Sequence, residues 1–128
     1  VSPGPIDFIL IQSQGNAVDF GDLSVARQLS GTASSKIRGL FGGGNTPSIS
    51  DVIDFVTFST QSNATDFGNL TVGRVNVTGT SSDTRGLFAG GATPSDSDVI
   101  DFVTIASAGN ATDFGNLQVV MVHHQTLM

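Results

Sequence analysis

The sequence contains no cysteine, so neither a disulfide framework nor a thiolate metal site can form, and stability has to come from packing alone. It also lacks Glu, Trp and Tyr, and its only lysine is Lys36, beside four arginines. All eleven acids are Asp, and a net charge of -6 argues against a phosphate-binding surface, which excludes nucleic acid as the expected partner. No apolar run approaches the roughly eighteen residues of a membrane span. The opening Val1-Ser2-Pro3-Gly4-Pro5 has no basic and apolar signal pattern, so the expectation is a soluble chain without membrane insertion. Strong helix formers are scarce.

What is abundant is Gly, with sixteen, and Phe, with nine, among many Thr, Ser, Val and Asp. β-Branched residues, one recurring aromatic and turn formers favour an all-β chain with almost no helix. The length of 128 residues alone suggests one compact domain, but internal repetition overrides that reading. One offset aligns the whole chain with itself, and it is 47 residues: Ile6-Asp7-Phe8 recurs at 53–55 and 100–102, Asp19-Phe20-Gly21 at 66–68 and 113–115, and Arg38-Gly39-Leu40-Phe41 at 85–88. Between 51–72 and 98–119, sixteen of twenty-two positions are identical.

Within one period, four short segments bounded by Gly, Pro, Asn, Asp and Ser read as strands, at about 72–80, 84–90, 98–106 and 111–117 in the best complete copy. The third, beginning Asp98-Val-Ile-Asp-Phe-Val-Thr-Ile, is apolar on both faces, as a strand between two layers should be. Four antiparallel strands in about 45 residues, with glycines closing the second, is the pattern of a propeller blade. The order Arg85-Gly-Leu-Phe-Ala-Gly-Gly, polar loop, Asp98-Val-Ile-Asp-Phe, a turn at 108–110, then Asp113-Phe114 resembles the kelch family. Arg27 and Arg74 stand where that family often carries an Arg after the fourth strand. Kelch motifs usually have Tyr on the third strand and Trp on the fourth. Here Phe8, Phe55, Phe102 and Phe20, Phe67, Phe114 keep the packing role and lose the polar one. In style the repeats are also similar to those of bacteriophage tail-fibre and virion-surface proteins.

The resemblance implies kelch-like blades in an incomplete ring: a partial blade at 1–23 with strands three and four, complete blades at 24–70 and 71–117, and a partial first strand or divergent tail at 118–128. Closed propellers use about four to eight blades, so one chain cannot close a ring. A homo-oligomer completing the ring is the expected partner arrangement, because an open arc leaves aromatic faces wet.

Asp7, Asp54 and Asp101 lie on otherwise apolar strands, and Arg38 and Arg85 on the neighbouring strand are the expected partners in one structural brace per blade. The Asp-Phe-Gly triplet spells a kinase metal-binding motif, but it occurs three times without the rest of the kinase signature. With the preceding Asn-Ala-Thr it reads instead as a turn. The loops after the second strand carry the candidate ligand contacts: Asn45, Thr46, Ser48 and Asp51 in one copy, Thr93, Ser95, Asp96 and Asp98 in the next. Asp96 and Asp98 are hard oxygen donors, so weak Ca²⁺ is the one cofactor the loop chemistry admits; EF-hand spacing is lacking and no metal is expected. Sequons at Asn63, Asn69, Asn76 and Asn110 arise from Thr-rich composition. His123 and His124 are adjacent, so on a strand they face opposite ways and cannot share a metal. The copper and tyrosine chemistry of kelch-fold oxidases has no residue here to carry it, and no nucleophile elbow is present. The expected function is therefore non-catalytic: a propeller binding module for a surface glycan or protein receptor, at a virion surface or outside a cell, or alternatively a structural component of a ring, fibre or particle.

Overall fold

A computed structural model describes residues 4–118. Among the described residues the chain is all-β, with ten strands in three antiparallel sheets, none of them closed. Sheet I pairs β1 (Pro5–Phe8) with β2 (Val18–Asp22). Sheet II is a meander of β3 (Gly31–Ser34), β4 (Arg38–Gly42), β5 (Val52–Thr57) and β6 (Thr65–Asn69). Sheet III repeats it with β7 (Thr78–Ser81), β8 (Arg85–Ala89), β9 (Val99–Thr104) and β10 (Thr112–Asn116). The segment expected as a partial first strand at 118–128 lies, from residue 119 on, outside the described residues, and so do His123 and His124.

The hairpins between first and second strands are closed by serine. Ser35 N–H donates to the Arg38 carbonyl at 2.9 Å, and its Oγ accepts from the Arg38 N–H at 3.1 Å. Ser82 does the same with Arg85, at 2.9 and 3.1 Å. These side-chain bonds fix a short loop that propensity alone would leave open.

Two expectations are corrected here. The first strand of the third repeat does not start near 72 but at Thr78, because residues 70–77 form the crossover between sheets. Arg74 anchors that crossover, and Asn76 takes a left-handed φ of 57° that no strand residue adopts. The Asp-Phe-Gly triplet is not a turn either. It lies within the fourth strand as a β-bulge: Asp54 faces Asp66 and Ile53 faces Gly68, which leaves Phe67 as the extra residue. The same register shift skips Phe20 in sheet I and Phe114 in sheet III. The extra residue swings each ring onto the third-strand phenylalanine, edge to face, at 5.8 Å for Phe8–Phe20, 5.7 Å for Phe55–Phe67 and 5.9 Å for Phe102–Phe114.

Sheets II and III pack face to face around the core. Leu40, Ile53, Phe67 and Leu70 from the sheet II side meet Val77, Phe88, Val103 and Ile105 from the sheet III side. The two first strands, β3 and β7, come closest, backbone against backbone: a Cβ on Gly79 would stand 1.9 Å from the Thr32 carbonyl oxygen, and one on Gly31 2.9 Å from that of Val77. At the near end, Ser34 N–H donates to Ser81 Oγ, its own repeat equivalent, at 3.0 Å.

Repeat positions explain one strained residue. Leu29, equivalent to Asn76, also has a positive φ, at 64°, and its carbonyl accepts the Asn76 N–H at 2.9 Å. A leucine pays a steric penalty in this region that asparagine largely avoids. Leu29→Asn should therefore raise stability by about 1 kcal/mol, measured as an increase in the urea midpoint at constant slope. A fall in midpoint would show that packing of the half-exposed Leu29 side chain outweighs the backbone term.

Candidate functional site

Among the described residues the buried ion pairs are two Asp–Arg pairs, and the arginines are not the expected ones. Asp54 and Asp101 are fully buried, and they pair with Arg27 and Arg74 from the crossovers, not with Arg38 and Arg85. Asp101 accepts from Arg74 Nη2 at 2.8 Å, from Thr71 N–H at 2.9 Å and from Thr71 Oγ1 at 2.7 Å. Asp54 repeats this with Arg27, with Ser24 N–H at 2.8 Å and with Ser24 Oγ at 2.8 Å. The arginines also donate to strand-end carbonyls: Arg74 Nη1 to Val99 at 2.7 Å and Gly90 at 3.1 Å, Arg27 Nη1 to Val52 at 2.8 Å. Burial pushes the Arg74 guanidinium below its usual pKa, while the Asp101 charge and hydrogen bond oppose that shift. The result ties each crossover to the third strand of the sheet it enters.

Strand parity excludes the other pairing. Asp54 is directly opposite Phe41 and Arg38 opposite Thr57, three residues from Phe41, so Arg38 and Asp54 project from opposite faces of sheet II. Arg38 instead lies over the Phe55 ring, 4.4 Å from its centroid, and donates to the Ile105 carbonyl of sheet III at 3.0 Å. Arg85 lies over Phe102 at 4.5 Å. These are cation–π contacts that use the flat, weakly hydrated guanidinium as a packing element. Asp7, expected to be braced like its equivalents, is exposed and has no ion pair among the described residues. A braced Asp takes its arginine from 27 positions earlier, as Asp54 does from Arg27 and Asp101 from Arg74.

The two polar loops are built alike. Thr46 N–H and Oγ1 both donate to the Ser48 carbonyl, at 2.8 and 3.1 Å, and Thr93 does so to Ser95, at 2.8 and 3.2 Å. Buried Ser50 and Ser97 close the loops on Gly44 and Gly91, each at 2.8 Å. Ser48, Ser95 and Asp96 are exposed at the tips, whereas Asn45, Thr46, Thr93, Asp51 and Asp98 are half-buried at the bases. Asp96 and Asp98 belong to no group of three or more metal-ligating side chains among the described residues.

At the hairpin end of β4, away from the loops, the sheets leave a cleft of about 320 Å³ between β3–β4 and β7. Its lining includes Thr32, Ala33, Ser34, Leu40, Thr80 and Ser81. No sequence signal marked it, because it exists only where two repeats meet. No described helix is long and apolar enough to cross a membrane. The chain matches no protein-family model and no curated protein sequence.

Proposed function

We propose that the sheets are blades of a kelch-like propeller and that the chain is a non-catalytic module which binds through one polar loop per blade. The observation that carries this reading is the matched hydrogen bonding that closes the loops at 45–51 and 92–98 on equivalent ends of sheets II and III. The loops differ in the cis bond of Thr93–Pro94 and in Ile49 standing where the second loop has Asp96. Both present an equivalent Thr-Pro-Ser segment, 46–48 and 93–95, at a fixed spacing, and the second loop adds the Asp96 carboxylate. Such spacing turns weak single contacts into avidity for a repetitive target, with a surface glycan or glycosylated receptor as the ligand class. A propeller fold does not select a function by itself; the loops supply the groups that would.

The test is a glycan array followed by titration of any hit against Ser48→Ala, Ser95→Ala/Asp96→Ala and the combined variant. Removing one loop should weaken binding to a multivalent surface by roughly 10²-fold, far beyond the factor of two expected of independent sites, with thermal stability unchanged. Absence of any glycan or receptor binding, or binding indifferent to all three variants, overturns the proposal.

A second reading, assembly, is favoured by a different observation. Phe114 is 52% exposed, whereas its equivalents Phe20 and Phe67 are 8% and 3% exposed; Phe58 is 47% exposed against 1% for its equivalent Ile105. The uncovered positions are those whose neighbouring sheet, or part of it, is not within the described chain. On this reading the sheet faces are joints between subunits of a ring, fibre or particle.

A further inference from the structure

We infer that the open face of sheet III binds the β1–β2 pair of a second copy of this chain, head to tail. The inference rests on the assembly reading and adds which surfaces meet and why they fit. Its template is the contact that the chain makes twice with itself. At the joint of sheets I and II, Asn63 Oδ1 accepts the Asp22 N–H at 3.0 Å and Ala64 N–H donates to the Asp22 carbonyl at 2.8 Å. One period on, Asn110 and Ala111 grip Asn69 in the same way, at 3.1 and 2.8 Å. Gly21 and Gly68 lie flat beneath these loops, where an added Cβ would stand 2.2 Å from the Ser62 carbonyl oxygen and 2.1 Å from that of Gly109. At the joint of sheets II and III, Arg38 adds a bond to the Ile105 carbonyl.

Both halves of a third such joint are present at opposite ends of the chain. Sheet III presents Asn116, Gly115, Phe114 and Arg85, equivalent to Asn69, Gly68, Phe67 and Arg38. Gly115 has open space where Gly68 meets a loop, and Arg85 has no carbonyl partner among the described residues. Sheet I presents the complement: Asn16 and Ala17 stand one period before Asn63 and Ala64 and are exposed. Ile9 and Ile11, 58% and 93% exposed, match Val103 and Ile105, which are 3% and 1% exposed against sheet II. In the joined pair Asn16 and Ala17 cap Asn116, Ile9 and Ile11 cover the Phe102–Phe114 pair, and Arg85 donates to the Ile11 carbonyl.

The first strands show that a two-stranded unit is the fitting occupant. Where β3 and β7 touch, the inward-facing residues are Gly31 and Gly79; at the equivalent positions on the open sides stand Thr78 and Thr32. A threonine there would obstruct another first strand, but β1–β2 supplies only a third and a fourth. The sequence also places Met121 one period after Arg74, so this joint lacks the guanidinium that braces Asp54 and Asp101 and is weaker than the covalent joints. Because the surfaces differ, the association is heterologous and extends, or closes only if the rotation permits.

The experiment is light scattering of the full chain across a dilution series, with two single-face variants. Ile11→Asp alters a side chain that is 93% exposed in the single chain, and Arg85→Glu alters an exposed one, so circular dichroism should match the parent for both. The parent should grow in mass with concentration beyond a dimer. Each variant alone should associate at least about tenfold more weakly, from the loss of a buried apolar contact or a charge-assisted bond. Mixed at equal amounts, the two variants should recover a 1:1 pair, because each retains the face the other lacks. A parent that stays monomeric overturns both this inference and the assembly reading. A parent that associates while the mixture recovers nothing, or whose variants associate unchanged, overturns the head-to-tail joint alone.

Discussion

Replacing Arg74 by alanine should destabilise the chain by about 3–5 kcal/mol, the largest effect expected of any single side chain here. The substitution leaves the Asp101 carboxylate fully buried with only Thr71 to answer it; it also removes the guanidinium donor to the Gly90 carbonyl and leaves the Val99 carbonyl with the Gly90 N–H alone. Most of that cost is the uncompensated charge, so a double replacement, Arg74→Met with Asp101→Leu, should recover much of it. Urea denaturation reads both. Arg38→Ala is the contrast: it removes a ring contact and one carbonyl bond, and about 1–2 kcal/mol is expected. Equal losses at Arg38 and Arg74 would show that the crossover arginines are not the structural braces.

Gly79→Ala should cost about 3 kcal/mol or more, at the upper end of overpacking effects. The added Cβ would stand 1.9 Å from the Thr32 carbonyl oxygen, and a backbone atom in a paired strand cannot swing aside as a side-chain tip can. Relief requires sheets II and III to separate, which wets Leu40, Phe88 and Ile105. Increased dye binding to exposed apolar surface, together with a lower melting temperature, is the expected signature. Gly15→Ala, with nothing within 4 Å of its added Cβ, is the control and should change stability by less than about 1 kcal/mol. A harmless Gly79→Ala would mean that the first strands do not approach as closely as described.

The two experiments separate what lies within a repeat from what lies between repeats. Within a repeat, much was legible. The 47-residue offset, the four-strand rhythm and the position of the third strand follow from periodicity and turn chemistry, because those are local properties of the backbone and its side chains. The Phe positions could be read as packing residues for the same reason. Two local features were hidden: the bulge at Asp-Phe-Gly, whose triplet looks like a turn until register is known, and the shortened first strand, whose leading residues the crossover takes over.

The brace partners illustrate the limit. Arg27 and Arg38 both recur with the same period, so repetition could not choose between them. Register chose: pairing Phe41 with Asp54 puts Arg38 on the opposite face and leaves the crossover arginine as the one within reach. The sequence by itself determined an all-β chain built from repeated four-strand units, since strand formation and turns depend on near neighbours. Only the tertiary structure decided which arginine meets which aspartate, and why one repeat position is buried at Phe67 and open at Phe114. Those outcomes depend on what lies across a sheet face, and equivalent residues in a periodic sequence differ only in the neighbour they are given.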